Sequence, residues 1–275
     1  MYHLTHHFLP TRFSVFYGSD SGEYLALSYW IATPINAFIK LKRLYHLCKN
    51  VSNLMYNTLM LYEDFVFQSP SDRPFYFINF VSTIDGKIRV TNADGDKYWP
   101  IGSKLDYQTL IELRAYADVL IHGKNTASSH RTVDSLAKPE FRELRKNLGK
   151  SEDLVYIVLS DHPDEKLHRQ LENSNNIKSR ILKSDITELN QLLTKKEHKI
   201  VLVEGGPHVL GAFFKARLID EVFLTLAPKI FGNEKNETLT MVEGFMFPAD
   251  QVPTLELIST KSIENELFLR YKVNY

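Results

Sequence analysis

The 275-residue chain has a single cysteine, Cys48. This excludes a disulfide within the chain and any zinc site built on two thiolates. It also has no net charge, with 33 Lys+Arg against 33 Asp+Glu. Binding to nucleic acid or an anionic membrane through bulk positive charge is therefore excluded, though a local basic patch is not. The dinucleotide pattern G-x-G-x-x-G is missing, as is the P-loop G-x-x-x-x-G-K-[ST]; both absences weigh against the standard folds built on them. There is no internal repeat and no low-complexity linker. No uncharged run reaches the roughly twenty residues that cross a bilayer.

What is present is an ordinary globular composition, 44% hydrophobic and 24% charged, in two unequal parts. Residues 1–72 carry only ten charged side chains but seven of the fourteen tyrosines. Their uncharged stretch Tyr24 to Ile39 is followed by Lys40, Lys42 and Arg43, which raises a membrane reading. Sixteen residues broken by Pro34 and Asn36 are too few to span, and a basic start and a cleavage site for secretion are lacking. Membrane association is thus disfavoured, and a helical N-terminal extension packing on the main domain or a partner is expected. His3, His6 and His7 have no carboxylate or thiol partner nearby in the sequence, so they read as solvated residues, and no metal site is expected.

From residue 73 onward the pattern alternates. Short apolar runs at 75–81 (FYFINFV), 118–123 (DVLIHG), 154–160 (LVYIVLS), 199–204 (KIVLVE) and 221–227 (EVFLTLA) predict strands. Helices are expected over 103–116, 138–148, 165–173, 186–195 and 207–217. The first opens with Ser103 and Asp106 placed as a capping box. Two terminal strands, 255–258 and 266–273, close the chain. Alternation of this kind predicts an α/β domain with a mixed, largely parallel sheet and an antiparallel edge.

Three segments stand where such sheets do chemistry. The strongest is 200–207 (IVLVEGGP), a buried strand running into two glycines and a helix that begins with Pro207. Glycines let a ligand approach the backbone, and a helix N-terminus offers unpaired N–H groups to an anion. A plain tight connection would use the same residues. The second is Gly123 to Thr126, read as a polar loop at a strand's carboxyl end. The third is Ser82 to Lys87, where Asp85-Gly86 also reads as a simple turn.

In this order, the segments resemble the reductase domain of riboflavin biosynthesis, which is the C-terminal half of a bifunctional deaminase-reductase and has a dihydrofolate-reductase-like fold. The resemblance covers residues 73–275. Residues 79–87 (NFVSTIDGK) are similar to the family's first strand and "S-L-D-G-K" turn, and Trp99 to its "S-x-W-I" tryptophan. Residues 113–120 (LRAYADVL) resemble "L-R-A-x-x-D-A-I", and 123–126 stand where the family has "G-x-G-T". Residues 203–211, 218–221 and 227–232 resemble its "V-E-G-G-P" helix, "L-v-D-E" strand and "a-P-x-x-x-G" loop.

The resemblance implies a three-layer domain and a cytoplasmic, homodimeric enzyme. NADPH would reduce the ribosyl imine or aldehyde carbon of 5-amino-6-(5-phosphoribosylamino)uracil or a similar phosphoribosylated pyrimidine. Matched by motif, Trp99, Gly123, Thr126, Gly205, Gly206, Pro207, His208, Val209 and Leu210 would bind the cofactor. Asn79, Arg114, Glu204 and Arg131 would face the substrate, with Glu204 and Asp85 as catalytic groups. Each has a plainer reading: Arg114 as an ion-pair partner, Glu204 as a cap for local N–H groups, Asp85 as a turn residue. Two departures matter. The family's "D-x-P-x-L-T-x-R" segment is absent, and residues 127–134 (ASSHRTVD) replace it. The deaminase zinc site, which needs H-x-E and P-C-x-x-C, cannot be built from one cysteine. The alternatives are a reductase of another small carbonyl, imine or pterin substrate, or a non-catalytic nucleotide-binding protein.

Overall fold

A computed structural model describes residues 11–18, 24–31, 61–62, 66–91, 98–129, 132–172, 177–233 and 239–275. The chain divides into two compact units, Met1–Val51 and Ser52–Tyr275. In the first, β1 (Thr11–Gly18) and β2 (Tyr24–Ile31) pair antiparallel, Gly18 opposite Tyr24. This corrects the helical extension expected there. Aromatic and β-branched residues such as Phe13, Val15, Tyr17, Tyr29 and Ile31 favour a pleated surface over a helix. His3, His6, His7, Cys48 and the lysines that follow Ile39 lie outside the described residues.

The second unit is built on β3 (Phe75–Thr83), β6 (Val119–Gly123), β7 (Val155–Leu159), β8 (Lys178–Leu182), β9 (Ile200–Gly205), β10 (Ile219–Ala227), β11 (Thr254–Ile263) and β12 (Glu266–Asn274). They form one eight-stranded sheet in the order β11-β12-β10-β3-β9-β6-β7-β8. The six strands from β10 to β8 are parallel, while β12 runs antiparallel to both β10 and β11. A two-stranded ribbon, β4 (Val90–Thr91) with β5 (Tyr98–Trp99), is separate. The mixed, largely parallel sheet is therefore as expected. The strand β8 escaped the sequence reading because its residues KSRIL are polar and half-exposed at the sheet edge, where a charged strand is protective.

The central strands have apolar side chains on both faces because helices cover both. On one face Tyr76, Ile78, Ile121, Ile157, Val201 and Val203 pack under α6 (Ile186–Lys195) and α7 (Pro207–Lys215). Leu210, Phe213 and Phe214 of α7 are buried there, each contributing about 1.5–3 kcal/mol of burial. The opposite face lies under α1 (Lys104–Tyr116) and α4 (Pro139–Asn147), whose Leu113, Phe141 and Leu144 are buried. Residues before the expected boundary at 73 contribute to this second unit. Leu61 and Tyr62 are buried, and the Phe67 ring stacks on Phe77 at 4.7 Å.

The cap of α1 is completed from far away. Ser103 Oγ accepts from Asp106 N at 3.2 Å, as a capping box requires. The Ser103 N–H donates not to Asp106 but to Glu266 Oε1 of β12, at 2.9 Å. The Asp106 carboxyl instead lies against Gly102, where an added Cβ would fall 2.1 Å from its Oδ2. Burial, and then the charge of Glu266, push the Asp106 pKa up to about 6, against relief from Thr225 and Lys229. A carboxyl whose pKa is raised on folding costs stability as pH climbs from about 4 through 6. Asp106→Asn should therefore raise the melting temperature at pH 8, by the equivalent of roughly 1–3 kcal/mol, with no difference at pH 4. An equal melting temperature at pH 8 would show that the carboxyl is not strained there.

Candidate active site

The parallel strands end together, and the carboxyl end of the central strand β9 carries Glu204, Gly205 and Gly206 in succession. In register, Ile78 of β3 and Ile121 of β6 both lie beside Val203; the next residue of β6, His122, pairs with Gly205 because β9 bulges at Glu204. Leu120 of β6 pairs with Tyr156 of β7, which puts a phenol on the same face as His122.

Above this row, the last turn of α1 delivers Arg114. Its Nε donates to Glu204 Oε1 at 2.7 Å, and its Nη2 to Oε2 at 2.5 Å. Its Nη1 donates to Ser135 Oγ at 3.2 Å, in α3 (Thr132–Leu136). Both side chains of the pair are only 7% exposed. The backbone beneath Arg114 is held by Arg145 of α4. Its Nη1 donates to the carbonyls of Ala115 and Ala117 at 3.1 and 2.6 Å, closing the end of the helix. Glu204 also bonds to His122 Nε2 at 2.9 Å, and His122 Nδ1 lies 3.0 Å from the Tyr156 hydroxyl.

The electrostatics follow from this packing. Burial would raise the Glu204 pKa, but the charge and hydrogen bonds of Arg114, with the bond from His122, hold it down at about 2. Burial opposes the charge on Arg114, and Glu204 more than offsets it. Burial lowers the His122 pKa despite Glu204, so its imidazole is neutral at pH 7. The site is thus a neutral ion pair with a neutral histidine behind it. An ionised Glu204 accepts hydrogen bonds and has no proton to give.

On the other side of β9 lies a glycine cradle. A Cβ on Gly123 would meet Val209 Cγ2 at 2.9 Å and Gly206 N at 3.6 Å; one on Gly206 would meet Thr126 Oγ1 at 3.2 Å. Gly205 has φ +90, a conformation glycine takes freely, and the Gly205–Gly206 peptide is cis. Gly206 is the N-cap of α7 and has no capping side chain; Pro207 carries no N–H and the Val209 N–H donates to Gly206 O, so the amides of Gly206 and His208 are the donors this helix start has to offer. Backbone donors at a helix start, reached through glycines, suit a diphosphate. Gly123, Thr126, Gly205, Gly206, Pro207 and Val209 are therefore gathered at one place.

Other expected residues fall elsewhere. Gly123 leads straight into α2 (Lys124–Ser129), so Thr126 sits in a short helix and not in the expected loop. The Leu210 side chain is fully buried in the core, and its N–H, like that of Val209, donates to Gly206 O. His208 is exposed beside Gly244. Trp99, 48% exposed, belongs to the β4–β5 ribbon. The Asp85 carboxylate accepts from Thr83 Oγ1 at 2.5 Å and from Phe231 N and Gly232 N at 3.1 and 2.7 Å. The hydroxyl of Thr83 and those amides hold it below the usual carboxylate range, and Asp85 braces two loops. Arg131 lies outside the described residues. Asn79 is nine-tenths buried, and its Oδ1 has no hydrogen-bond partner. His122, Tyr156 and Ser135 were missed; the one signal was a histidine inside the apolar run before Gly123.

Residues 74–269 match the model of the RibD C-terminal domain. The chain belongs to that family. Among its relatives is the 2,5-diamino-6-ribosylamino-4(3H)-pyrimidinone 5′-phosphate reductase of Methanothermobacter thermautotrophicus, 26% identical over 73% of this chain and 99% of the relative. The riboflavin biosynthesis protein RibD of Aquifex aeolicus is 27% identical over 62% of this chain and 51% of its own length. Of the solved structures, a pyrimidine reductase-like protein from Corynebacterium diphtheriae superposes with a TM-score of 0.56 at 18% identity, covering 80% of this chain and 99% of that one. A Thermotoga maritima deaminase/reductase gives 0.54 at 20% identity, over 73% and 57%. These likenesses bear on the fold and agree with the family's dihydrofolate-reductase-like, three-layer domain.

Proposed function

We propose that the chain is the NADPH-dependent reductase of a phosphoribosylated pyrimidine in riboflavin biosynthesis. The observation that carries this is the adjacency at the end of β9. Glu204, held by Arg114, and the glycine cradle that starts α7 are consecutive in the chain, so a substrate and a cofactor diphosphate meet across one strand end.

The cradle suits the cofactor through its backbone: the glycines let the end of β9 and the start of α7 close against Thr126, Val209 and Leu210, and the start of α7 has no side-chain cap. Gly123, Thr126, Gly205, Gly206 and the first turn of α7 would hold the diphosphate. When bound, NADPH supplies the hydride. The protein's part is to place the acceptor carbon and exclude water. Glu204 Oε1, which Arg114 Nε alone engages, has an acceptor site left for a ribosyl hydroxyl. The unpartnered Oδ1 of Asn79 has one for a substrate N–H or O–H.

Arg114 is held in the plainer of its two expected roles, as an ion-pair partner. Its charge is already met by Glu204 at 2.5 Å, and a phosphate would have to displace that carboxylate. This favours a second reading, a reductase whose carbonyl, imine or pterin substrate carries no phosphate. A cytoplasmic homodimer suits the first reading. The exposed Leu255 and Leu257 on the edge strand β11 support a second copy docking there. No helix among the described residues is long and apolar enough to cross a membrane.

The purified chain should bind NADPH in a saturable manner and consume its 340 nm absorbance when given 2,5-diamino-6-ribosylamino-4(3H)-pyrimidinone 5′-phosphate or 5-amino-6-(5-phosphoribosylamino)uracil. Binding without oxidation of either would favour another substrate. No binding at millimolar NADPH would leave the reductase reading without support.

A further inference from the structure

The histidine behind Glu204 is the feature of the site that the proposed chemistry does not use. His122 is fully buried in β6, where its neighbours Leu120 and Ile121 are apolar core residues. Both of its ring nitrogens are engaged, Nε2 with Glu204 Oε2 at 2.9 Å and Nδ1 with the Tyr156 hydroxyl at 3.0 Å. The Tyr156 ring stands edge-on to the imidazole, with centroids 5.4 Å apart and planes at 89°.

The donors and acceptors allow one assignment. Glu204 is ionised and only accepts, so Nε2 carries the proton. A neutral imidazole then leaves Nδ1 as an acceptor, and the Tyr156 O–H must donate to it. Burial pushes the Tyr156 phenol up, which keeps it protonated. The chain Tyr156 O–H to Nδ1, then Nε2–H to Oε2, points one way and fixes the tautomer of His122 and the plane of the Glu204 carboxylate. Arg114 alone would leave that plane free to rock about the bidentate axis. The third bond, from a ring that cannot itself move, prevents this.

We infer that His122, oriented by Tyr156, is the positioning residue that aims Glu204 Oε1 as a fixed acceptor at the substrate's ribosyl hydroxyl. This rests on the reductase reading of the site. It adds that selectivity for a hydroxylated ribosyl chain is set from beneath, by residues that never touch the substrate.

The test is a set of variants assayed with NADPH and the two pyrimidine phosphates named above. His122→Leu removes the donor and should raise the KM for the pyrimidine about tenfold, with the NADPH KM within twofold of wild type. His122→Gln, whose side-chain N–H can stand in for Nε2–H, should recover to within about threefold. Tyr156→Phe should fall between them. A merely structural role would lower kcat through lost folded protein and leave both KM values unchanged; that result overturns the inference, as does a Gln variant no better than Leu. If the wild type turns over neither pyrimidine, the reductase reading fails separately. The inference is then decided on the unliganded protein by imidazole 15N NMR. An Nε2–H tautomer, in the signal that His122→Gln deletes and that becomes a tautomer mixture in Tyr156→Phe, supports the relay. An Nδ1–H or charged ring refutes it. The same spectra decide the matter if His122→Leu does not fold.

Discussion

Replacing Glu204 by alanine should cut turnover by about 100-fold and leave NADPH affinity within about twofold, because the carboxylate faces substrate and the cradle begins one residue later. The same change should cost about 3–5 kcal/mol of stability, since it strands the Arg114 guanidinium in the interior without a counter-charge. Glu204→Gln keeps the volume but not the charge, and its amide N–H would face the Nε2–H of His122 unless one of them turns over. It should therefore lose activity almost as fully. The pH dependence has a definite sign. A carboxylate held at about 2 when folded, against 4.5 when unfolded, contributes stability above pH 4.5 that is lost as pH falls from 4.5 toward 2. That part of the acid unfolding curve, about 3 kcal/mol, should be missing in Glu204→Gln. Chemical denaturation at pH 3 and pH 7 for the two proteins measures it. Unchanged turnover in Glu204→Ala would remove the residue from the site.

The sequence revealed what is local. The apolar runs at 75–81, 118–123, 199–204 and 221–227 announced buried strands, because a strand covered on both faces needs apolar residues at every position. The start of α7 was legible for a similar reason: two glycines, a proline and an apolar stripe act within one turn of each other. What depended on distant partners was hidden. Arg114 read either as a substrate-facing residue or as an ion-pair partner, and the sequence could not name the partner, which lies ninety residues on. Asp106 read as half of a capping box whose other half is Glu266, from the last strand. Asp85 read as a catalytic group or a turn residue, and its hold on Phe231 N and Gly232 N, across the domain, could not be read at all. His122 and Tyr156 sit singly in apolar strands, where a polar residue carries no local sign of the partner that satisfies it.

Filling the cradle tests the other half of the site. Gly123→Val should weaken NADPH binding by about 100-fold or more, roughly 2.7 kcal/mol, while the fold persists. The geometry sets this expectation. A Cβ on Gly123 already lies 2.9 Å from Val209 Cγ2 and 3.6 Å from Gly206 N, so two further methyl carbons must push α7 outward or occupy the space above the Gly206 amide. Either outcome displaces the Gly206 and His208 N–H groups that would meet the diphosphate. A β-branched residue suits the strand end itself, which limits the cost to folding. Gly123→Ala, meeting mainly one movable methyl, should lose only about tenfold. Calorimetric titration with NADPH gives both affinities, and thermal melts without cofactor show whether the fold is kept. The two halves should separate cleanly: Gly123→Val loses cofactor affinity with the Arg114–Glu204 pair intact, and Glu204→Ala loses turnover with the cradle intact. If Gly123→Val binds NADPH as tightly as the wild type, the diphosphate does not sit at the β6–α7 junction, and the adjacency at the end of β9 no longer supports the reductase reading.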